Sequence, residues 1–331
     1  MQNILQKVYN SIELNELESY TLFKSIILKK ISDIELSAVL IALKTKGETT
    51  NEILGAVKAH LEYIKFFPRP NYIFADIVGT GGDNSNSINI STTSALVAST
   101  CNLKIIKHCN KKISSKCGSV DILKKFGINI QYDAYKSREI LDQLNICFLF
   151  SQKYHDSFVN SMFVRKLLKT KTIFNIIGPL LNPAMPKHIV IGVSDPKIMF
   201  LIAEILKKLN YHHAIILHSN NTDEITLHST TKIIELKNKK ITSYILDPHD
   251  FGVNYYNKSE IQGGTSKENY EIIKYVLQGK GPKSITETIA VNVAVLLLIF
   301  GYSNLQENTK NVLDIIQNGK VYEKIIKLSQ V

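Results

Sequence analysis

The 331-residue sequence has no tryptophan, only three arginines and only four cysteines. Cys101, Cys109, Cys117 and Cys147 are too few and too irregularly spaced for a disulfide framework. No C-x-x-C occurs, so zinc-ribbon and thioredoxin-type chemistry lose their support. A reduced, cytoplasmic protein is the expectation. Sixteen glycines and eight prolines exclude collagen-like and low-complexity classes, and 44% hydrophobic with 21% charged residues is globular composition. The longest apolar stretch, residues 289–300, is broken by Asn292 and falls short of the ~18 residues a membrane span needs. The opening MQNILQKVYN lacks a basic-then-apolar signal, so export is not expected.

What is plentiful is lysine. Forty basic residues against 29 acidic ones give a net charge of +11, which invites a nucleic-acid reading. Lysine, asparagine and isoleucine are all abundant, however, and share A/T-rich codons. The lysines are also spread along the whole chain. The excess charge reads as compositional background, and a nucleic-acid or membrane partner is not expected. Against that background Arg69, Arg138 and Arg165 each become informative.

The length suggests two domains. Residues 1 to 67 read as helix. Leu17, Tyr20, Phe23 and Ile27 follow helical spacing. Ser32 with Glu35 and Thr49 with Glu52 form capping-box patterns, and Gly47 supplies a stop. Pro68 and Pro70 mark a linker at 67–72. Beyond it, strands are expected at 73–78, 104–107, 128–131, 146–150, 188–193 and 213–217. Helices are expected at 91–100, near 119–126 and near 136–144, from the Asp195-Pro196 start to Leu209, and through 267–328. Such alternation predicts an α/β fold with a mostly parallel sheet. The expected domains are a helical one over 1–70, with a contribution from about 160–185, and an α/β one over 71–331.

Four segments carry chemistry. Gly79-Thr80-Gly81-Gly82-Asp83 follows a predicted strand, and its glycines let backbone N–H groups approach an anion. It is neither a Walker loop nor a dinucleotide fingerprint. Alone it reads slightly more as a tight strand-to-helix turn. The hydroxyls and amide of Ser87-Ile88-Asn89-Ile90-Ser91-Thr92, at a helix start, tip it toward a phosphate or diphosphate site. Lys107-His108-Cys109-Asn110-Lys111-Lys112, continuing to Ser114-Ser115-Lys116, follows the next strand and suits a polyanion, though basic loops are common. Asp223-Glu224 suits Mg²⁺, a hard cation that shares oxygen ligands with phosphates. Arg165, near the apolar, proline-containing stretch 173–183, offers a planar fork for a small carboxylate. His212, His213, His218 and His228 lack zinc-like spacing and read as packing or surface residues.

In this order the segments resemble the anthranilate phosphoribosyltransferase family of tryptophan biosynthesis. The resemblance rests on the G-T-G-G-D loop, the N-I-S-T segment, the K-H-x-N…S-S-K segment, the V-R and F-N-x-x-G-P-L-x-N-P stretches and the D-E pair. K-x-K-G-E-T at 44–49 and G-G-x-x-x-E-N at 263–269 extend it over nearly the whole chain. It implies a type IV phosphoribosyltransferase, nucleoside phosphorylase-like fold, with a helical and an α/β domain, an active site at the hinge, and a homodimer contacting through the helical domain. It also implies transfer of phosphoribosyl from 5-phosphoribosyl 1-pyrophosphate to anthranilate, with Mg²⁺, two ions per subunit.

By that resemblance Gly79, Gly82, Asp83, Ser87, Asn89, Ile90, Ser91, Thr92, Lys107, His108, Cys109, Asn110, Lys111, Lys112, Ile113, Ser114, Ser115 and Ser119 hold the donor. Gly79, His108, Asn110, Arg165 and Gly178 surround anthranilate. Ser91, Asp223 and Glu224 organise the metal. No nucleophile is implied, and His108 is the one candidate proton acceptor. Cys109 and Ser219 stand where the family has glycine, and Tyr270 where it has alanine. A positive φ at Cys109 would bring strain. Pyrimidine nucleoside phosphorylases share the fold, but the acidic pair argues against them. Nucleic-acid-binding relatives depart at the anthranilate positions, where Arg165 and Asn110 are kept.

Overall fold

The computed structural model describes residues 1–81, 88–110 and 118–331. The expected residues Gly82, Asp83, Ser87, Lys111, Lys112, Ile113, Ser114 and Ser115 lie outside them. The chain divides into two compact units, Met1–Phe66 with Phe150–Met185, and Phe67–Leu149 with Pro186–Val331.

The first unit is all helix: Gln2–Tyr9, Glu16–Ile27, Asp33–Lys46, Thr50–Glu62, Ser151–Tyr154, Asp156–Leu168 and Ile173–Ile177. Both expected capping boxes form, and Gly47 ends its helix at φ +87°. Phe23 and Ile27 are buried as their spacing implies, whereas Leu17 is 71% exposed. Helices Glu16–Ile27 and Thr50–Glu62 cross so closely that a Cβ on Gly55 would overlap the Glu16 carbonyl. Glu52 is buried, yet Oε1 accepts Leu14 N–H at 3.0 Å, and Oε2 accepts Thr49 N–H at 2.9 Å and Lys46 Nζ at 2.8 Å. A buried carboxylate is tolerable only when satisfied in this way.

His60, 1% exposed, packs among Phe23, Phe158 and Phe174, with ring centroids 5.7–5.9 Å away. Its Nδ1–H donates to Ala56 O at 2.8 Å. Burial pushes its pKa down to about 4; the Ala56 bond opposes this and the Arg165 charge adds to it. The unfolded chain, titrating near 6.5, therefore binds more protons between those values. Stability present above pH ~6.5 drains away as pH falls through ~4. Urea unfolding at pH 7.5 and 4.5 should show His60→Leu losing ~2–3 kcal/mol less than the parent over that interval. Equal losses would contradict the assignment.

The second unit is built on a seven-stranded sheet of order β3-β2-β1-β4-β5-β6-β7. The strands are β1 (Ala75–Gly79), β2 (Ile105–Cys109), β3 (Ile146–Phe150), β4 (His188–Gly192), β5 (His213–His218), β6 (Thr231–Lys237) and β7 (Lys240–Leu246). β1 pairs parallel with β2 and β4, and β4 with β5, while β6 and β7 add on antiparallel. The sheet is mostly parallel, as the alternating pattern predicts, and the antiparallel β6 and β7 make it the mixed α/β sheet that the family resemblance implies. The expected strand at 128–131 does not form. Ile128 and Ile130 are buried and alternate with exposed neighbours, but Asn129 Oδ1 accepts Gln131 N–H at 2.8 Å and turns the chain locally. The β6–β7 hairpin went unexpected. Its two-residue turn, Asn238-Lys239, has φ +49° and +65°, the left-handed pair that a primed turn requires.

Helix Lys283–Ile299 is buried along nearly its whole length, as befits a helix apolar all round. No helix among the described residues is long and apolar enough to cross a membrane. Cys101, Cys109 and Cys147 are free thiols.

Candidate active site

The carboxyl ends of β1 and β4 lie side by side, with Gly79 opposite Gly192. This is the edge where open α/β sheets place their ligands. Past Gly79 the chain turns through Gly81 at φ +66°, a conformation glycine adopts without cost. Thr80 N–H donates to Gly192 O at 3.0 Å, and Thr80 Oγ1 accepts Ser194 N–H at 3.3 Å, so the turn is tied to β4.

Onto this edge the fold brings the acidic pair from some 140 residues downstream. Gly81 N–H donates to Asp223 Oδ2 at 2.7 Å, and Ser91 N–H, in the first turn of helix Ile90–Thr100, to Glu224 Oε1 at 3.2 Å. The approach depends on absent side chains. A Cβ on Gly79 would overlap the Asp223 carboxylate, and one on Gly192 would overlap the Asp223 carbonyl oxygen. Gly192 is thus a site residue that the sequence reading did not single out.

The backbone around the pair is pinned on both sides. Before it, Ser219 and Thr222 form a bridge, and His218 Nδ1–H donates to Val193 O at 2.8 Å. After it, Asn292 reaches from the buried helix. Its Oδ1 accepts Ile225 N–H at 3.1 Å, and its Nδ2 donates to Ile225 O at 2.9 Å. The residue that breaks the long apolar stretch therefore holds the loop next to the carboxylates. His218 and Asn292 are the other two contributors missed from sequence; the polar interruption was the available signal for the second.

The residues expected to hold the donor, where they lie within the described region, differ in their surroundings. Thr92 Oγ1 donates to Ser119 Oγ at 2.8 Å, joining two helix starts. Ile90 sends its side chain into the core, so only its backbone faces the edge. Lys107 is 2% exposed, and its Nζ donates to Ile77 O at 2.6 Å. Burial pushes its ammonium below the usual lysine range, against the pull of Asp76, Cys109, Glu224 and Asp223. It is a buried lysine set beneath the edge, not a surface one. His108 is 8% exposed, with its backbone N–H on Asp76 Oδ2 at 3.3 Å. Asn89 and Asn110 are half-buried at the same edge.

The departures from the family pattern are absorbed locally. Cys109 has no positive φ, so the strain that a left-handed backbone would bring does not arise. Its side chain turns inward, with Sγ 3.6 Å from Leu149 O on β3, and burial pushes the thiol up to about 12. Ser219 Oγ lies 2.6 Å from Thr231 Oγ1. Tyr270 packs in a tilted contact on Phe126, ring centroids 4.8 Å apart.

Arg165 and Gly178 belong to the helical unit. Arg165 Cζ lies 4.8 Å from the Phe174 ring centroid and 5.9 Å from that of Phe158, a cation–π arrangement. Among the described residues no carboxylate lies within ion-pair distance of it. The apolar loop after it is mostly core: Phe174, Ile177, Leu180 and Leu181 are buried, while Asn175, Ile176 and Gly178 keep partial exposure. His155 Nε2–H donates to Leu181 O at 2.8 Å and fixes the loop. Among the described residues, nothing lies within 4 Å of where a Gly178 Cβ would stand.

Residues 71–322 match the model of the glycosyl transferase family, a/b domain, and residues 2–63 that of its helical bundle domain. The chain is 67% identical over 330 residues to the anthranilate phosphoribosyltransferase of Buchnera aphidicola subsp. Baizongia pistaciae, covering 100% of both. It is 61% identical to that of subsp. Melaphis rhois, again covering both fully. Among solved structures, the anthranilate phosphoribosyltransferase of Thermus thermophilus superposes with a TM-score of 0.92 at 26% identity, with 99% and 98% of the chains covered. The Saccharomyces cerevisiae enzyme in complex with PRPP and Mg gives 0.89 at 25% identity, covering 99% and 96%. With both domains matched and full-length identity above 60%, the chain belongs to the anthranilate phosphoribosyltransferase family.

Proposed function

We propose that this chain transfers the phosphoribosyl group of 5-phosphoribosyl 1-pyrophosphate to anthranilate, giving N-(5-phosphoribosyl)anthranilate and pyrophosphate, a step of L-tryptophan biosynthesis in the cytoplasm. The observation that carries this reading is the seating of Asp223 and Glu224 on the glycine turn and the start of helix Ile90–Thr100. That juxtaposition supports the reading, because carboxylates suited to a hard cation stand beside backbone donors suited to a diphosphate. Full-length identity to named relatives supports it.

The donor set fits a hard divalent cation. Asp223 and Glu224, with Ser91 nearby, offer oxygen, and among the described residues no three His, Cys, Asp or Glu side chains converge. Phosphate oxygens and water complete the shell, with two Mg²⁺ per subunit in this reading. When bound, the metal offsets the charge that develops on departing pyrophosphate.

The residues supply positioning. The 79–83 segment, residues 87–92, Ser119 and the 107–115 segment hold the donor. Arg165, with Gly79, His108, Asn110 and Gly178, receives anthranilate. An aromatic amine is already neutral at pH 7, so no strong base is required, and His108 at most accepts a proton late. In this reading the chain works as a homodimer, and exposed Leu17, Ile34, Phe163 and Leu167 on the helical unit suit such a contact.

Anthranilate fluorescence should fall when the donor and Mg²⁺ are added together, and should hold steady with either omitted or with EDTA present. Steady fluorescence under all conditions would overturn the proposal.

A further inference from the structure

Gly81 N–H and Ser91 N–H are directed at carboxylates, Asp223 Oδ2 and Glu224 Oε1. In the phosphoribosyl-donor reading, on which this inference rests, the same turn and helix start receive phosphate oxygens. One N–H cannot serve two anions at full strength. A carboxylate oxygen that coordinates a divalent cation, in turn, gives up much of its capacity as an acceptor. Both demands are met in full if the partners exchange.

The backbone carrying the pair is held in place, so the exchange is one of side chains. The acidic loop is fixed by the Ser219–Thr222 bridge, the His218–Val193 bond and the Asn292 clamp on Ile225. Gly79 leaves room for the Asp223 side chain alone.

We propose that Asp223 and Glu224 are exchangeable caps on the phosphate-binding amides, seated on Gly81 and Ser91 N–H until a divalent cation draws them off and frees those donors for the diphosphate. Metal and donor binding are thereby coupled through the same two side chains. Premature capture of metal-free phosphate is opposed by occupied donors as well as by negative charge.

Charge repulsion alone also weakens metal-free anion binding, so the test separates charge from hydrogen bonding. Asp223→Asn removes the charge but keeps an oxygen that accepts Gly81 N–H; Asp223→Ala removes both. The probe is inorganic pyrophosphate in EDTA, titrated calorimetrically into the full-length protein, with amide hydrogen exchange at Gly81 as the second readout. The Ala variant should bind metal-free pyrophosphate about 3- to 10-fold more tightly than the Asn variant, the range expected for one released hydrogen bond. Its Gly81 amide should also exchange faster. Asp223→Ser, too short to reach the amide, repeats the comparison should Ala fail to fold. Equal affinity and exchange in the Asn and Ala (or Ser) variants would overturn the cap while leaving the donor site standing, provided the parent binds Mg²⁺-pyrophosphate. Failure of the parent to bind Mg²⁺-pyrophosphate would overturn both.

Discussion

Asp223→Asn combined with Glu224→Gln is expected to abolish magnesium-dependent turnover while leaving the fold intact. Both replacements are isosteric, and their amide oxygens still accept Gly81 N–H and Ser91 N–H, so the contacts that seat the pair survive. The bonds that hold the loop itself come from elsewhere, from Asn292 to Ile225 and from His218 to Val193. What is lost is two anionic oxygen ligands at a site where, among the described residues, no third carboxylate, thiol or imidazole can stand in. A metal ion stabilises the developing charge of the transition state by several kcal/mol, so the loss should be about 1000-fold or more in turnover. Turnover measured against Mg²⁺ concentration, with thermal unfolding as the control, checks it. An unchanged magnesium dependence in a folded double variant would remove Asp223 and Glu224 from the mechanism.

How far the site was legible in the sequence follows from the kind of signal each residue gives. Glycine clusters, capping boxes and strand-helix alternation are local, and they placed β1, β2 and the turn at Gly81 correctly. The Asp223–Glu224 pair was visible as chemistry, but its seat on Gly81 and Ser91 is a tertiary fact. So is the role of Gly192, which reads as an ordinary strand-end glycine until the Asp223 carbonyl is found where its Cβ would be. Asn292 announced itself only as an interruption in an apolar helix. Its partner, the Ile225 backbone, lies 67 residues away. The strand expected at 128–131 shows the opposite failure. Its alternation is real, because Ile128 and Ile130 are buried, but burial periodicity carries no information about whether a hydrogen-bonding neighbour exists. The missed hairpin lacks the asparagine-glycine turn that would have marked it; Asn238-Lys239 makes the same turn with a residue that seldom does.

Arg165→Ala is expected to raise the apparent KM for anthranilate about 10- to 150-fold, the equivalent of a ~1.5–3 kcal/mol hydrogen bond to a charged group. Arginine is scarce in this chain, and lysine serves for ordinary positive charge, so a guanidinium here points to a need for its planar fork. The surroundings sharpen that argument. Burial lowers the Arg165 pKa to about 10, which still leaves it charged at neutral pH. Its guanidinium rests on Phe174 and Phe158, and among the described residues no carboxylate neutralises it. By contrast Arg138, another of the three, is spent on Asp142 and the Pro68 carbonyl. A half-buried cation without a counter-ion costs stability, so removing it should leave the fold as stable as before or more so. Donor affinity should change far less, because the proposed donor segments are carried by other elements. Arg165→Lys should fall between the parent and Ala, keeping the charge but losing the two-pronged contact. Steady-state kinetics with each substrate varied in turn decides the matter. A normal anthranilate KM in Arg165→Ala at saturating donor would mean that the guanidinium serves only to cover Phe174.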